Sequence, residues 1–204
     1  MKIFLLGATG QTGSIFMKMA LERNHKVTAY VRSPEKVLLH NENLNIVKGD
    51  VFSLADMAKA MASHDVVVSC LGGSNNDKET VITKMTEIII KSMKANEINR
   101  IVTISTAGIH DEFLFVMNFI VKSFLKHTIH DYRLAAEAII SSGLVYTIAR
   151  PLALTKGPLT EVYRKTLKGV PRGGKEISRQ DLAHFLLSVI EKDEFKNETV
   201  GLAY

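Results

Sequence analysis

Seven residues near the start restrict the fold more than any other feature: Gly7-Ala8-Thr9-Gly10-Gln11-Thr12-Gly13. They follow a short β-rich run, Lys2–Leu6, and open a segment with helical character. A strand that passes into a helix through three glycines is the phosphate-binding turn of nucleotide-binding α/β sheets. Gly7 is expected to allow the tight turn. Gly10 lets the backbone approach a pyrophosphate, and Gly13 lets the helix pack close to the sheet. The helix N-terminus then offers free N–H groups and a positive dipole end to the phosphates. Thr9, Gln11 and Thr12 add side-chain donors, and Ala8 completes the turn. The spacing is G-x-x-G-x-x-G, not the commoner G-x-G-x-x-G.

The rest of the chain alternates in a way that suits this start. Nearly continuous apolar runs at Lys2–Leu6, Lys26–Val31, Leu44–Val47, Val66–Cys70, Arg100–Ile104 and Val145–Ala149 read as strands buried on both faces. Helical spacing lies between and after them: Val81, Met85, Ile88 and Ile89, then Leu182, Leu186, Val189 and Ile190. Ser178-Arg-Gln-Asp181 resembles a capping box that opens the last helix. The expected class is α/β, a doubly wound parallel sheet with helices on both faces. With 204 residues, four prolines and no Ser/Gly linker, one domain over 1–204 is expected. A chain of this size buries a core without disulfides or metal. The lone Cys70 excludes an intramolecular disulfide and a Cys-rich zinc site; no metal is expected.

The start does not read as a signal peptide, because its apolar run lasts from Ile3 to Leu6 only. Phe113–Val121 is far short of the roughly 20 residues that span a bilayer. A cytoplasmic setting without a membrane partner is expected. The net charge is +5, but the 26 Lys and Arg are scattered with no run of three. Nucleic acid is therefore disfavoured as a partner, and an anionic small molecule is favoured.

Further candidates follow the carboxyl ends of strands, where open α/β sheets bind ligands. An NAD site would carry an acid after the second strand; here Arg32 and Lys36 bracket Ser33. A guanidinium can grip a 2′-phosphate bidentately, which points to NADP, used as NADPH. Asp50 can accept from an adenine amino group with Val51 beside the ring, or can cap a helix over Leu54–Met61. Leu71, Gly72 and Gly73 allow the backbone to pass close to the cofactor.

Gly7–Gly13, Gly49-Asp50-Val51, Ser105-Thr106-Ala107 after the fifth strand, and Ala136-Glu137 leading to Ser142–Pro151 resemble the atypical short-chain dehydrogenase/reductases. Gly157-Pro-Leu-Thr160 and Ile177-Ser178 to Asp181-Leu-Ala183 are most similar to the NmrA-like branch that includes flavin reductase/biliverdin reductase B. The resemblance implies a single Rossmann-type domain that binds NAD(P), with 151–204 as a small part on the substrate side. It implies that Gly7, Thr9–Gly13, Arg32, Asp50, Val51, Leu71, Gly72, Ser105 or Thr106, and Pro151 line the cofactor.

The short-chain dehydrogenase acid, Tyr-x-x-x-Lys, is absent. Tyrosines fall at 30, 132, 146, 163 and 204, and the first four are followed four residues later by Pro34, Ala136, Arg150 and Leu167. The biliverdin reductase B branch carries a histidine after the stretch matching Arg150-Pro151; here Leu152, Ala153 and Leu154 stand there. Flavin reduction needs no such acid: hydride passes to the flavin and water supplies the proton. The expectation is an NADPH-dependent oxidoreductase with FMN or a quinone-like aromatic acceptor as substrate, monomer or homodimer. Ser105 and Thr106 are the candidate catalytic residues, fixing a carboxamide or a substrate carbonyl. Tyr132, His130 and His110 are lesser acid candidates, and Glu137 reads as structural. Phe113–Phe124 reads as a lid, a core helix or a dimer face. Leu159–Lys165 is expected to close the other side with cations toward an anionic substrate. The rival is an NADP-binding redox sensor of NmrA type without catalysis. A nucleotide-sugar epimerase is disfavoured by the short length and the missing Tyr-x-x-x-Lys.

Overall fold

The computed structural model describes residues 1–73, 80–110 and 119–204, with side chains for all of these except 119–125. The first half alternates except between β2 and β3, which only a 3₁₀ turn separates: β1 (Lys2–Leu6), α1 (Gln11–Glu22), β2 (Lys26–Val31), β3 (Leu44–Lys48), α2 (Leu54–Met61), β4 (Val66–Ser69), α3 (Val81–Ala95) and β5 (Arg100–Ile104). Then follow α4 (Phe119–Ile140), β6 (Val145–Pro151), β7 (Ala153–Thr155), β8 (Arg164–Thr166), β9 (Glu176–Ser178), α5 (Arg179–Glu191) and β10 (Glu198–Ala203).

The main sheet has the order β3-β2-β1-β4-β5-β6-β10-β8. All its pairings are parallel except β10 with β8 at the edge. The order reverses between β1 and β4, and that reversal opens a crevice beyond the carboxyl ends of these strands. The chain is thus an α/β protein of Rossmann-like architecture.

The apolar runs form strands because both faces are covered. In β1, Ile3 and Leu5 pack with α1 and α5, while the alternate Phe4 and Leu6 pack with Met57, Met61 and the α3 and α4 side. Each fully buried side chain of this size contributes about 1.5–3 kcal/mol. α1 turns Phe16, Met17, Ala20 and Leu21 inward. α5 lies beside α1 and buries Leu182, Phe185, Leu186 and Val189.

The six anticipated strands match within one or two residues at their ends. The last four strands, β7 to β10, carry no such sequence signal. β8 is Arg-Lys-Thr, with no apolar residue, and exists because it pairs with Ala203, Leu202 and Gly201 of β10. Of 151–204, β10 and α5 belong to the central layers, and residues 152–178 form the part beside them. There the two-stranded sheet of β7 and β9 joins Ala153–Thr155 to Glu176–Ser178. Arg150, at the end of β6, has a fully buried side chain. Its guanidinium donates to the carbonyls of Gly169, Leu167 and Thr199 and so anchors this part, while burial lowers its pKa to about 10.

Candidate functional site

The three glycines of the first turn have separate jobs. Gly7 has φ +78°, and a Cβ there would stand 2.6 Å from the Cys70 carbonyl oxygen. A Cβ on Gly13 would stand 2.1 Å from the Gly7 carbonyl oxygen. Both are required by the fold itself: one for the turn against β4, the other for seating α1. Gly10 differs. Its φ is −79°, open to any residue, and an added Cβ meets only the Gly7 oxygen at 3.2 Å. An added Cβ at Gly10 is tight against one backbone oxygen only, so the fold asks less of Gly10 than of Gly7 and Gly13.

Gly10 is also the N-cap of α1, and no side chain caps this helix. The first turn holds no acidic residue. The N–H groups of Gln11, Thr12 and Gly13 have no intrahelical acceptor by helix geometry. The first turns of α3 and α5 are closed, whereas α2, like α1, has no side-chain cap bond but does carry an acid. Asp131 of α4 accepts the Ile82 and Thr83 amides of α3 at 2.8 and 2.9 Å. At α5 the Ser178 hydroxyl accepts from the Asp181 amide at 3.0 Å. α2 carries Asp56 in its first turn, bonded to the Ser53 hydroxyl. An open positive helix end behind a glycine turn fits a phosphate.

Along the same edge of the sheet lies a cleft of about 300 Å³ lined by Arg32, Asp50, Val51, Phe52, Leu71, Gly72, Val81 and Met85. It gathers five anticipated residues from the ends of β2, β3 and β4. Asp50 is not the cap of α2, which begins at Ser53; its Oδ1 accepts from the Phe52 amide at 3.0 Å. Gly49 makes room for Tyr30, whose ring a Cβ would overlap at 2.1 Å, and the Tyr30 hydroxyl donates to the Asp50 carbonyl. Lys36 is exposed in a single 3₁₀ turn, Pro34–Lys36, and is not part of the cleft wall. Phe52, Val81 and Met85 are wall residues that the sequence reading missed.

Under the crevice, between the sheet and α3 and α4, runs a narrow second cavity of about 20 Å³, room for about one water. Ser69, Thr103, Ser105 and Tyr132 supply polar groups, and Ile82, Met85, Ile104, Ala135, Ala136, Ile139 and Ile148 the apolar wall. Leu71 and Met85 line both spaces. The two candidate hydroxyls after β5 separate clearly. Ser105 is buried and its Oγ has no protein partner, whereas Thr106 Oγ1 donates to the Ala107 carbonyl at 3.1 Å. Pro151 is buried at the end of β6, its carbonyl accepting from the Ala107 amide at 3.1 Å.

Tyr132 meets the loop after β4. Its hydroxyl is hydrogen-bonded with the Gly73 backbone, and burial, more than that bond or Asp131, sets its pKa above the ordinary tyrosine value. His110 is exposed at the surface, with Nε2 3.1 Å from Thr199 Oγ1, and His130 is exposed on α4. Neither lines the cleft or the cavity. Glu137 is exposed. Residues 113–118 of the aromatic run lie outside the described residues, and of 119–124 only the helical backbone is described.

The expectation for Leu159–Lys165 needs correction. Lys165 Nζ lies over the rings of Tyr163 and Phe195 at 5.9 and 5.6 Å. The Arg164 guanidinium donates to the carbonyls of Arg172 and Tyr204. These cations are used in packing rather than presented to a ligand. The segment is held by Asp181, whose carboxylate accepts from Thr160 N and Glu161 N at 2.9 and 2.8 Å, Thr160 Oγ1 at 2.7 Å and the Tyr204 hydroxyl at 2.6 Å. Burial alone would raise the pKa of Asp181, but these hydrogen bonds outweigh it and hold the carboxyl below its usual value.

Among the described residues no helix is long and apolar enough to cross a membrane. Among known proteins, the chain is 28% identical to YwnB of Bacillus subtilis over 209 residues, covering 97% of this chain and 96% of that one. It is 26% identical over 211 residues to YhfK of the same organism, described as an uncharacterized sugar epimerase, covering 99% and 94%. A Rossmann-fold NAD(P)-binding family protein from Shigella flexneri superposes with a TM-score of 0.78 at 28% identity, covering 98% of this chain and 92% of that one. Residues 7–193 match the NAD(P)H-binding family. With the glycine turn, the open helix end and the cleft in place, this chain belongs to that NAD(P)H-binding family.

Proposed function

We propose that the chain is an NADPH-dependent reductase of the NmrA-like branch that passes hydride to a flavin or a quinone-like aromatic acceptor. The observation that carries the cofactor part is the uncapped start of α1 behind Gly10, at the same edge of the sheet as a cleft that reaches Arg32. The residues fit a dinucleotide. The Gln11–Gly13 amides take the pyrophosphate, Val51 and Leu71 take the adenine faces, and Asp50 takes the amino group. Arg32, exposed at the cleft rim, takes the 2′-phosphate, which favours NADP over NAD. Lys36, outside the wall, adds only a longer-range positive field.

The cofactor supplies a hydride. The chain's own contribution is placement and exclusion of water. Ser105, with its buried unpartnered Oγ, is the group that fixes the carboxamide or the acceptor carbonyl. Thr106, already bonded to its neighbour, has the lesser role. Tyr132 has Ala136 where a lysine would stand, and its raised pKa keeps it protonated at neutral pH. Without a cation to assist, it serves as a hydrogen-bond anchor for the Gly72-Gly73 loop, and water gives the proton to the reduced acceptor.

The test is NADPH oxidation with FMN, riboflavin and a small quinone under anaerobic conditions. The reading expects turnover with at least one of these. Tight NADPH binding with no turnover on any of them would overturn it in favour of a redox sensor.

A further inference from the structure

Asp131 is a buried carboxylate with no part in the cofactor contacts above. It sits on α4, next in sequence to Tyr132, yet among the described residues its hydrogen-bond partners belong to α3. Oδ2 accepts from Ile82 N at 2.8 Å, and Oδ1 accepts from Thr83 N at 2.9 Å and from Thr83 Oγ1 at 2.6 Å. The Thr83 hydroxyl also reaches the Asp131 carbonyl at 3.1 Å. The N-cap of α3 itself, Thr80, makes no side-chain cap bond. The start of α3 is therefore fixed by a residue of another helix, 48 and 49 positions further along the chain.

What it fixes matters. The pinned turn carries Val81, a wall of the cleft beside Arg32, and Ile82, a wall of the inner cavity. One turn on, Met85 belongs to both. On the α4 side the next residue, Tyr132, bonds the Gly73 backbone, and its hydroxyl stands 3.6 Å from where a Cβ on Gly72 would lie. Asp131 and Tyr132 thus lock three pieces together: the start of α3, α4 and the loop after β4. Each piece walls the cofactor cleft, the cavity, or both.

We infer that Asp131 is a positioning residue for cofactor binding, setting the separation of the α3 turn and the Leu71–Gly73 loop between which the adenine half is held. It acts through Val81, Met85 and Tyr132 and touches no ligand. The inference rests on the reading of this crevice as the NADPH site. A displacement of about 1 Å in groups that position a substrate can cost up to roughly a hundredfold. The capping bonds of Asp131 are of the length at which such a displacement breaks them.

The experiment measures NADPH and 2′,5′-ADP dissociation constants by fluorescence, together with Tm, for wild type, Asp131→Ala, Asp131→Asn and Asp181→Asn. Asp181 is the control, an equally buried carboxylate that holds another helix start and a segment away from the cleft. Asp131→Ala is expected to weaken both ligands by about tenfold or more. Asp131→Asn keeps Oδ1 and its Thr83 contacts, so it folds and falls between. Asp181→Asn lowers Tm and leaves both constants within about twofold. If both Asp131 variants bind as wild type does while Tm falls, Asp131 only stabilises the fold and the proposal is overturned. If wild type binds neither ligand, the cofactor reading fails first and the proposal falls with it.

Discussion

The starts of α1 and α5 are built from similar materials and finished in opposite ways. Both follow a strand, and both begin with a cap residue in extended conformation, Gly10 and Ser178. At α5 the Ser178 hydroxyl and the Asp181 carboxylate meet the local N–H groups and those of the Thr160 turn. At α1 there is a glycine without a side chain and no acid nearby. α3 resembles α5, its first amides taken by Asp131. A glycine N-cap costs only a few tenths of a kcal/mol against a Ser or Asp cap. Of the two, the open start stands at the β1/β4 switch point, where open α/β sheets bind ligands. The contrast separates a helix start finished by side chains of the fold from one left without them.

The largest expected effect comes from closing the open end. Gly10→Val places a branched side chain where a pyrophosphate lies while straining only the Gly7 oxygen contact. Loss of two charge-assisted hydrogen bonds, at roughly 1.5–3 kcal/mol each, weakens NADPH binding by more than about a hundredfold. Titration of cofactor fluorescence measures this, and Tm should change little. A folded variant with wild-type affinity would make the two helix ends equivalent after all.

Opening the closed end is expected to cost stability instead. Asp181→Ala takes the carboxylate acceptor from the Thr160 and Glu161 amides and from the Thr160, Ser178 and Tyr204 hydroxyls, a loss of about 3 kcal/mol in urea unfolding. The same contacts predict a pH dependence. The Asp181 carboxyl is held below its ordinary value in the fold. Its contribution is therefore complete above the unfolded value of about 3.9 and is lost as pH falls through the lower folded value. Asp181→Asn should flatten the acid limb below about pH 4. An unchanged limb would mean that the carboxylate is not what holds the segment.

Next comes the rim of the cleft. Arg32→Ala should remove about tenfold or more of the NADPH over NADH preference, the worth of one charge-assisted bond. Equal wild-type affinities for the two cofactors would sink the assignment of Arg32 to the 2′-phosphate. The smallest effects belong to the acid candidates. His110→Ala, His130→Ala and Tyr132→Phe should each keep kcat within about tenfold, since a true general acid contributes 10²–10⁴-fold. A larger loss in any one, measured with FMN across pH, would identify a protein acid.

The same contrast explains what the sequence revealed. Gly7, Gly10 and Gly13 announce the turn because a strand, three glycines and a helix stand contiguous in the chain. The buried strands announce themselves through unbroken apolar runs such as Val66–Ser69. Arg32, Asp50 and Leu71 could be placed by rule, since each lies within two residues of a strand's carboxyl end. Phe52, Val81 and Met85 could not, because nothing local says which face of a helix meets the cleft. Asp131 was invisible for a stronger reason: its partners lie 48 and 49 positions away, on another helix. Leu159–Lys165 misled because its charges are visible in sequence, while the rings and carbonyls that take them come from Phe195, Arg172 and Tyr204.

The most direct test is amide hydrogen exchange, followed by NMR, at the helix starts with and without NADPH. The account predicts that Gln11, Thr12 and Gly13 exchange quickly in the free protein and become protected on binding, while Ile82, Thr83 and Asp181 are protected in both states. Amides at Gln11–Gly13 that are already protected without cofactor, or that stay unprotected with it, would contradict the claim that α1 is the helix end kept open for the ligand.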